Sequence, residues 1–125
     1  MEIEFKWIPP SKKNSKQVFC RWGRPTVIPS KAYQKWHGEM EDELWEVVLE
    51  TWHPYVMTYN FFIPYNKDGS ESKRPFDYSN KIESINDLLV DLEIIEDDNY
   101  YIIKEQHVFW EFVPYGEWKV IVTIK

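Results

Sequence analysis

The sequence predicts an α+β domain with α/β-like features, in which two main helices pack on a small mixed β-sheet of about four to five strands. Three observations carry this. Two segments, near 30–48 and 77–92, repeat apolar residues at three- and four-residue steps, the period of a helix with one buried face. Three others, at the start, at 55–63 and from 101 onward, alternate in polarity or are rich in β-branched and aromatic residues. These segments follow in the order strand, loop, helix, strand, loop, helix, strand, strand, with no internal repeat and no linker-like composition. The 125 residues fit one domain, 1–125. A chain of this length buries about two-thirds of its unfolded surface, so it needs no disulfide or metal staple.

Each element has its own warrant. Ile3, Phe5 and Trp7 alternate with Glu2, Glu4 and Lys6, a half-buried strand that Pro9-Pro10 ends. Residues 11–29 are basic and punctuated by Gly23, Pro25 and Pro29, which predicts a loop or a short irregular hairpin. Ser30 can cap a helix beginning near Lys31, with Tyr33, Trp36, Met40, Leu44, Val47 and Val48 on one face; Gly38 inside it costs about 1 kcal/mol relative to alanine. Tyr55 to Ile63, bounded by Pro54 and Pro64, is a strand, and 66–75 a polar loop. From Asp77 to Leu92, Ile82, Ile85, Leu88, Leu89 and Leu92 share one helical face, while Asn80, Glu83, Ser84, Asp87 and Asp91 form an open polar one. Two strands close the chain, 101–113 and 118–124, with Pro114-Tyr115-Gly116-Glu117 expected as a hairpin loop between them.

Composition narrows the function. One cysteine, Cys20, allows neither an internal disulfide nor a cysteine zinc site. No apolar run is long enough to span a bilayer, and the opening MEIEFKW lacks a signal-peptide pattern, so a cytoplasmic protein without membrane contact is expected. The net charge of −6 is unevenly spread: residues 1–38 hold eight basic side chains against two acidic ones, and the remainder seven against nineteen. Because exposed charges are screened beyond about 10 Å, the basic N-terminal third can still meet a phosphate backbone. The tryptophans and tyrosines fit core positions, and His37, His53 and His107 lack metal-ligand spacing. No glycine-rich phosphate loop or nucleophile elbow is present, nor a full EF-hand pattern, and no organic cofactor is expected.

The stretch from Arg74 to Asp98, RPFDYSNKIESINDLLVDLEIIEDD, is the most informative. Asp77 lies where a helix starts, and Asp97-Asp98 in the turn beyond it. Carboxylates at element ends suit a hard cation such as Mg²⁺, which takes one or two of them plus water and substrate phosphate. The same residues would also serve as a helix cap and turn formers.

This stretch resembles the central motif of the RusA-type Holliday-junction resolvases: an aspartate, a second aspartate followed by asparagine, a lysine, a helix ending in an aspartate, and then paired aspartates. Asp77 falls on the first aspartate, Asn80 on the asparagine, Asp87 on the helix aspartate and Asp97-Asp98 on the pair, without a gap. The segment Pro9 to Gln17, PPSKKNSKQ, is similar to the family's opening. The resemblance implies a homodimeric endodeoxyribonuclease that binds four-way DNA junctions and cuts them symmetrically with Mg²⁺ or Mn²⁺. It further implies that Asp77 and Asp98 bind metal and take part in catalysis, with Asp97 in support. Two positions depart: Ser79 replaces the second aspartate and Glu83 the lysine. Glu83 could return a carboxylate to the site, and Lys81 a cation. Lys12, Lys13, Asn14, Lys16 and Arg24, with Lys73 and Arg74 beside Asp77, are the expected phosphate-holding residues, and Gln17 could add a hydrogen bond. The departures also admit a junction-binding protein that no longer cuts.

Overall fold

In the computed structural model the described residues are 1–6, 9–10, 16–21, 24–29, 31–73 and 77–125, of which 16–21 and 24–29 are described as backbone. The elements are β1 (Glu2–Phe5), β2 (Lys16–Arg21), β3 (Arg24–Pro29), α1 (Lys31–Leu44), β4 (Tyr55–Pro64), α2 (Tyr78–Asp91), β5 (Ile103–Val113) and β6 (Lys119–Ile124). Four strands form a mixed sheet in the order β1-β6-β4-β5, and β2 and β3 form a separate antiparallel pair. This is the α+β architecture that the periodicities predict, with the main sheet at four strands.

The core follows from the strand alternation. In β4 the odd residues Tyr55, Met57, Tyr59 and Phe61 are buried while their neighbours are half-buried. Across the sheet the register sets Phe5 beside Val120 and Phe61, and Ile3 beside Val122 and Tyr59. These rows meet Tyr33, Trp36, Met40 and Leu44 of α1 and Ile85, Leu88 and Leu89 of α2 in one cluster. Burying a side chain of this size stabilises the fold by about 1.5–3 kcal/mol, so the helical stripes and the sheet face need each other. Among the described residues no helix is long and apolar enough to cross a membrane.

Four sequence expectations change. The basic segment is a regular hairpin with Val18 opposite Val27 and Phe19 opposite Thr26; its prolines are tolerated because a two-stranded ladder is all edge. Helix α1 stops at Leu44, where the Val47 amide turns back to the Leu44 carbonyl at 3.0 Å, so Val47 is only partly buried and Val48 is 76 % exposed. The last two strands are not a hairpin: β5 pairs parallel with β4, and β6 lies antiparallel between β4 and β1. The reason is composition. Val120-Ile121-Val122-Thr123-Ile124 favours a central position, whereas Lys104, Glu105, Gln106, His107 and Glu111 let β5 stand at an edge. The fourth change, on the polar face of α2, belongs to the site. Trp7 and Ser30 lie outside the described residues.

Candidate metal and nucleic-acid site

Helix α2 runs back along the sheet between the parallel strands β4 and β5, and its two ends hold the acidic motif. Asp77 is its N-cap, in extended conformation: one carboxylate oxygen accepts from the Asn80 amide at 3.3 Å, the other from the Asn80 side-chain amide at 3.0 Å. The Asp77–Asn80 spacing is therefore a two-pronged cap, with Asn80 donating from both its amide and its side chain, that fixes both side chains where the helix begins. Ser79 and Glu83 are exposed, Lys73 is exposed in the preceding loop, and Lys81 is half-buried.

One turn on, the open polar face is interrupted. Ser84 is fully buried, because its hydroxyl donates to the Pro10 carbonyl at 2.8 Å and lies 3.2 Å from the Asn80 carbonyl. The prolines after β1 thus sit against α2, and the chain enters its basic segment from that helix. Asn86, buried on the other flank, accepts from the Tyr59 hydroxyl at 2.5 Å and donates to the Gln106 side chain at 3.4 Å, joining α2 to β4 and β5. Sequence reading missed this residue, although Asn86 lies four positions after Ile82 and three before Leu89, on the apolar side of the wheel.

Beyond α2 the chain reverses at Glu93, inserts Ile94 and Ile95 into the core, and presents Asp97 and Asp98 in a turn. The turn is built from its own side chains: Asp97 accepts from the Asp98 amide at 2.8 Å and the Asn99 side chain at 3.1 Å, and Asn99 accepts from the Tyr101 amide at 3.0 Å. Partial burial, then a hydrogen bond with Asp97, then the charges of Asp97 and Asp87 hold the Asp98 carboxyl above its ordinary value. The Tyr59 phenol is raised chiefly by burial, against the Asn86 hydrogen bond, with the charge of Asp98 adding to the rise. Burial also raises Tyr33, followed by the charges of Asp87 and Asp91. Asp87, Asp97 and Asp98 therefore share one electrostatic neighbourhood toward the C-terminal end of α2.

Asp77 caps the start of α2, whereas Asp87, whose charge acts on Asp98, lies in its second half. Ten residues of helix place Asp77 about 15 Å along the axis from Asp87. The acid brought near Asp98, beside its neighbour Asp97, is Asp87. Among the described residues no group of three or more histidine, cysteine, aspartate or glutamate side chains is arranged to hold a metal ion. Mg²⁺ asks for fewer protein ligands, and the carboxylates of Asp98 and Asp97, with the charge of Asp87 acting on Asp98, are of the donor type it uses.

Of the expected phosphate-holding residues, Lys12, Lys13, Asn14 and Arg74 lie outside the described residues. Lys16 opens β2 and Arg24 opens β3, at opposite ends of the hairpin. The histidines occupy three separate places: His37 lies 3.1 Å from Asp91, His53 3.6 Å from Glu96 and His107 3.7 Å from Glu105. No family model matches the chain, and no curated protein is significantly similar to it.

Proposed function

We propose that this chain is a cytoplasmic, Mg²⁺- or Mn²⁺-dependent endodeoxyribonuclease that binds four-way DNA junctions as a homodimer and cuts them symmetrically. The observation that carries the reading is the bond from Ser84 to the Pro10 carbonyl. It joins the two segments in which the sequence resembles the resolvases, 74 positions apart, so that the basic segment departs from the helix bearing the acidic motif. In this reading Asp98 and Asp97 would hold the cation, with Asp87 adding to the negative charge around Asp98, and Asp77 fixes Asn80 at the helix start. The cation supplies Lewis-acid polarisation of the scissile phosphate and an activated water. Lys73, Arg74 and Lys81 hold phosphates near Asp77, and Lys12, Lys13, Asn14, Lys16 and Arg24 hold the arms.

A second reading, a junction-binding protein that does not cut, is favoured by two observations. Ser79 is a neutral, exposed residue at a motif acid position, and Asp77, at the N-cap of α2, lies about 15 Å along the helix axis from Asp87. The test is cleavage of a labelled four-way junction beside a linear duplex, in Mg²⁺ and in Mn²⁺. The nuclease reading expects paired cuts in the junction alone, falling by about two to three decades in Asp98→Asn. Tight binding without cuts in either metal would establish the second reading, and no junction binding at moderate salt would sink both.

A further inference from the structure

The apolar rows of the sheet do not stop where the helices do. The row Phe5, Val120, Phe61 continues to Trp110 on β5, and the row Ile3, Val122, Tyr59 continues to Val108. Within the first three strands these side chains are at most 3 % exposed, yet on β5 Trp110 is 52 % and Val108 39 % exposed. On the opposite face Phe109 is 57 % exposed. Among the described residues β5 pairs only with β4, so its outer edge presents a row of backbone donors and acceptors along 11 residues. Charged and polar side chains flank this edge, but its centre, Val108-Phe109-Trp110, is an exposed apolar run, and such a run beside unpaired backbone groups templates pairing with another strand.

We propose that β5 pairs antiparallel with β5 of a second copy of this chain, making one continuous sheet across a two-fold axis. This gives a surface to the homodimer of the proposed function, and the strand itself carries the choice of surface. A two-fold axis perpendicular to a sheet keeps its faces, so residues facing each other share parity and the axis passes through one residue. An axis at Val108 sets Glu105 against the partner's Glu111, a like-charge clash. An axis at His107 sets Glu105 against the partner's Phe109. An axis at Phe109 stacks the two Phe109 rings, sets Val108 against the partner's Trp110, and sets His107 against the partner's Glu111, with the last two pairs made twice. Of the three, this register pairs the central apolar residues with one another and gives each Glu111 a base, while Gln106 and Glu105 fall opposite the partner's Phe112 and the partner's Val113 at the ends of the ladder. His107 also has Glu105 beside it on its own strand at 3.7 Å, so an acid flanks it on either side.

The test is sedimentation equilibrium of the full chain over about two decades of concentration. The wild type is expected to be dimeric. Phe109→Glu, at a solvent-facing position, should weaken the dimer at least about a hundredfold while leaving the far-ultraviolet circular dichroism unchanged. His107→Glu should also weaken it, and His107→Glu combined with Glu111→Lys should restore it by reversing both pairs. A wild type that is monomeric throughout overturns the proposal, as does a dimer that survives both Phe109→Glu and Trp110→Glu. A dimer broken by Phe109→Glu but not restored by the charge reversal overturns the register. None of these outcomes depends on cleavage: a monomeric wild type would remove the homodimer from the nuclease reading, whereas a dimer that fails to cut junctions would leave this proposal standing.

Discussion

Asn86 shows how much one buried amide can hold. Its oxygen takes the Tyr59 hydroxyl and its nitrogen reaches Gln106, so a helix and two strands are tied at one point inside the core. Removing it leaves a buried phenol without a partner as well as a small cavity. Asn86→Ala should therefore cost about 2–4 kcal/mol in urea unfolding, more than an exposed polar substitution on the same helix. The sequence marks the residue by its place on the apolar wheel face, but its partners sit 27 and 20 positions away and carry no local signature. Asp77 is the opposite case. Its capping role is local, three residues from Asn80, and so it was legible from spacing alone. The grouping of Asp98 with Asp87 was not, because it depends on how the chain returns after Glu93.

At the scale of the element, α1 carries the feature most open to improvement. Gly38 is exposed in the helix interior, and a Cβ built there meets nothing within 4 Å. Gly38→Ala should stabilise the protein by about 0.5–1 kcal/mol, read as a rise in the thermal midpoint with the fold unchanged. The helices were legible because their apolar stripes have a period that tertiary contacts reinforce. Their ends were less so: Val47 and Val48 continue the period, but the turn at Leu44 takes them off the face. The β2–β3 hairpin was half-legible, since Pro25 and Pro29 argue against a strand locally and only its cross-strand partners make the ladder worthwhile.

For the whole molecule, the informative quantity is where the charge lies. On the proposed reading, the basic first third of this acidic protein meets DNA through a few phosphates, and the affinity should fall steeply with salt. If Lys12 and Lys13 each hold a phosphate, replacing both with glutamine should flatten the logarithmic salt dependence by about two units, measured by junction titration at several salt concentrations. The number and type of the elements were legible at this scale, but the sheet order was not. Neighbours along the chain, β5 and β6, are separated by β4, and nothing local in 114–117 records that. A short turn between two strand-like runs signals a hairpin whenever composition is considered without the competition for the sheet's centre.

The pairing of β1 with β6 also bears on how the fold is reached. Glu2 lies opposite Thr123, and the Met1 amine bonds to the Ile124 carbonyl at 2.9 Å. β1 can find its place only against β6, the strand farthest from it in the chain, and β6 in turn needs β4. The β4–α2–β5 unit can assemble from nearer contacts, while β1 must wait for the longest loop in the molecule to close. Loop-closure entropy grows slowly with length, so the wait is felt in folding time more than in equilibrium stability. The strand that comes first in the sequence is thus among the last to be secured.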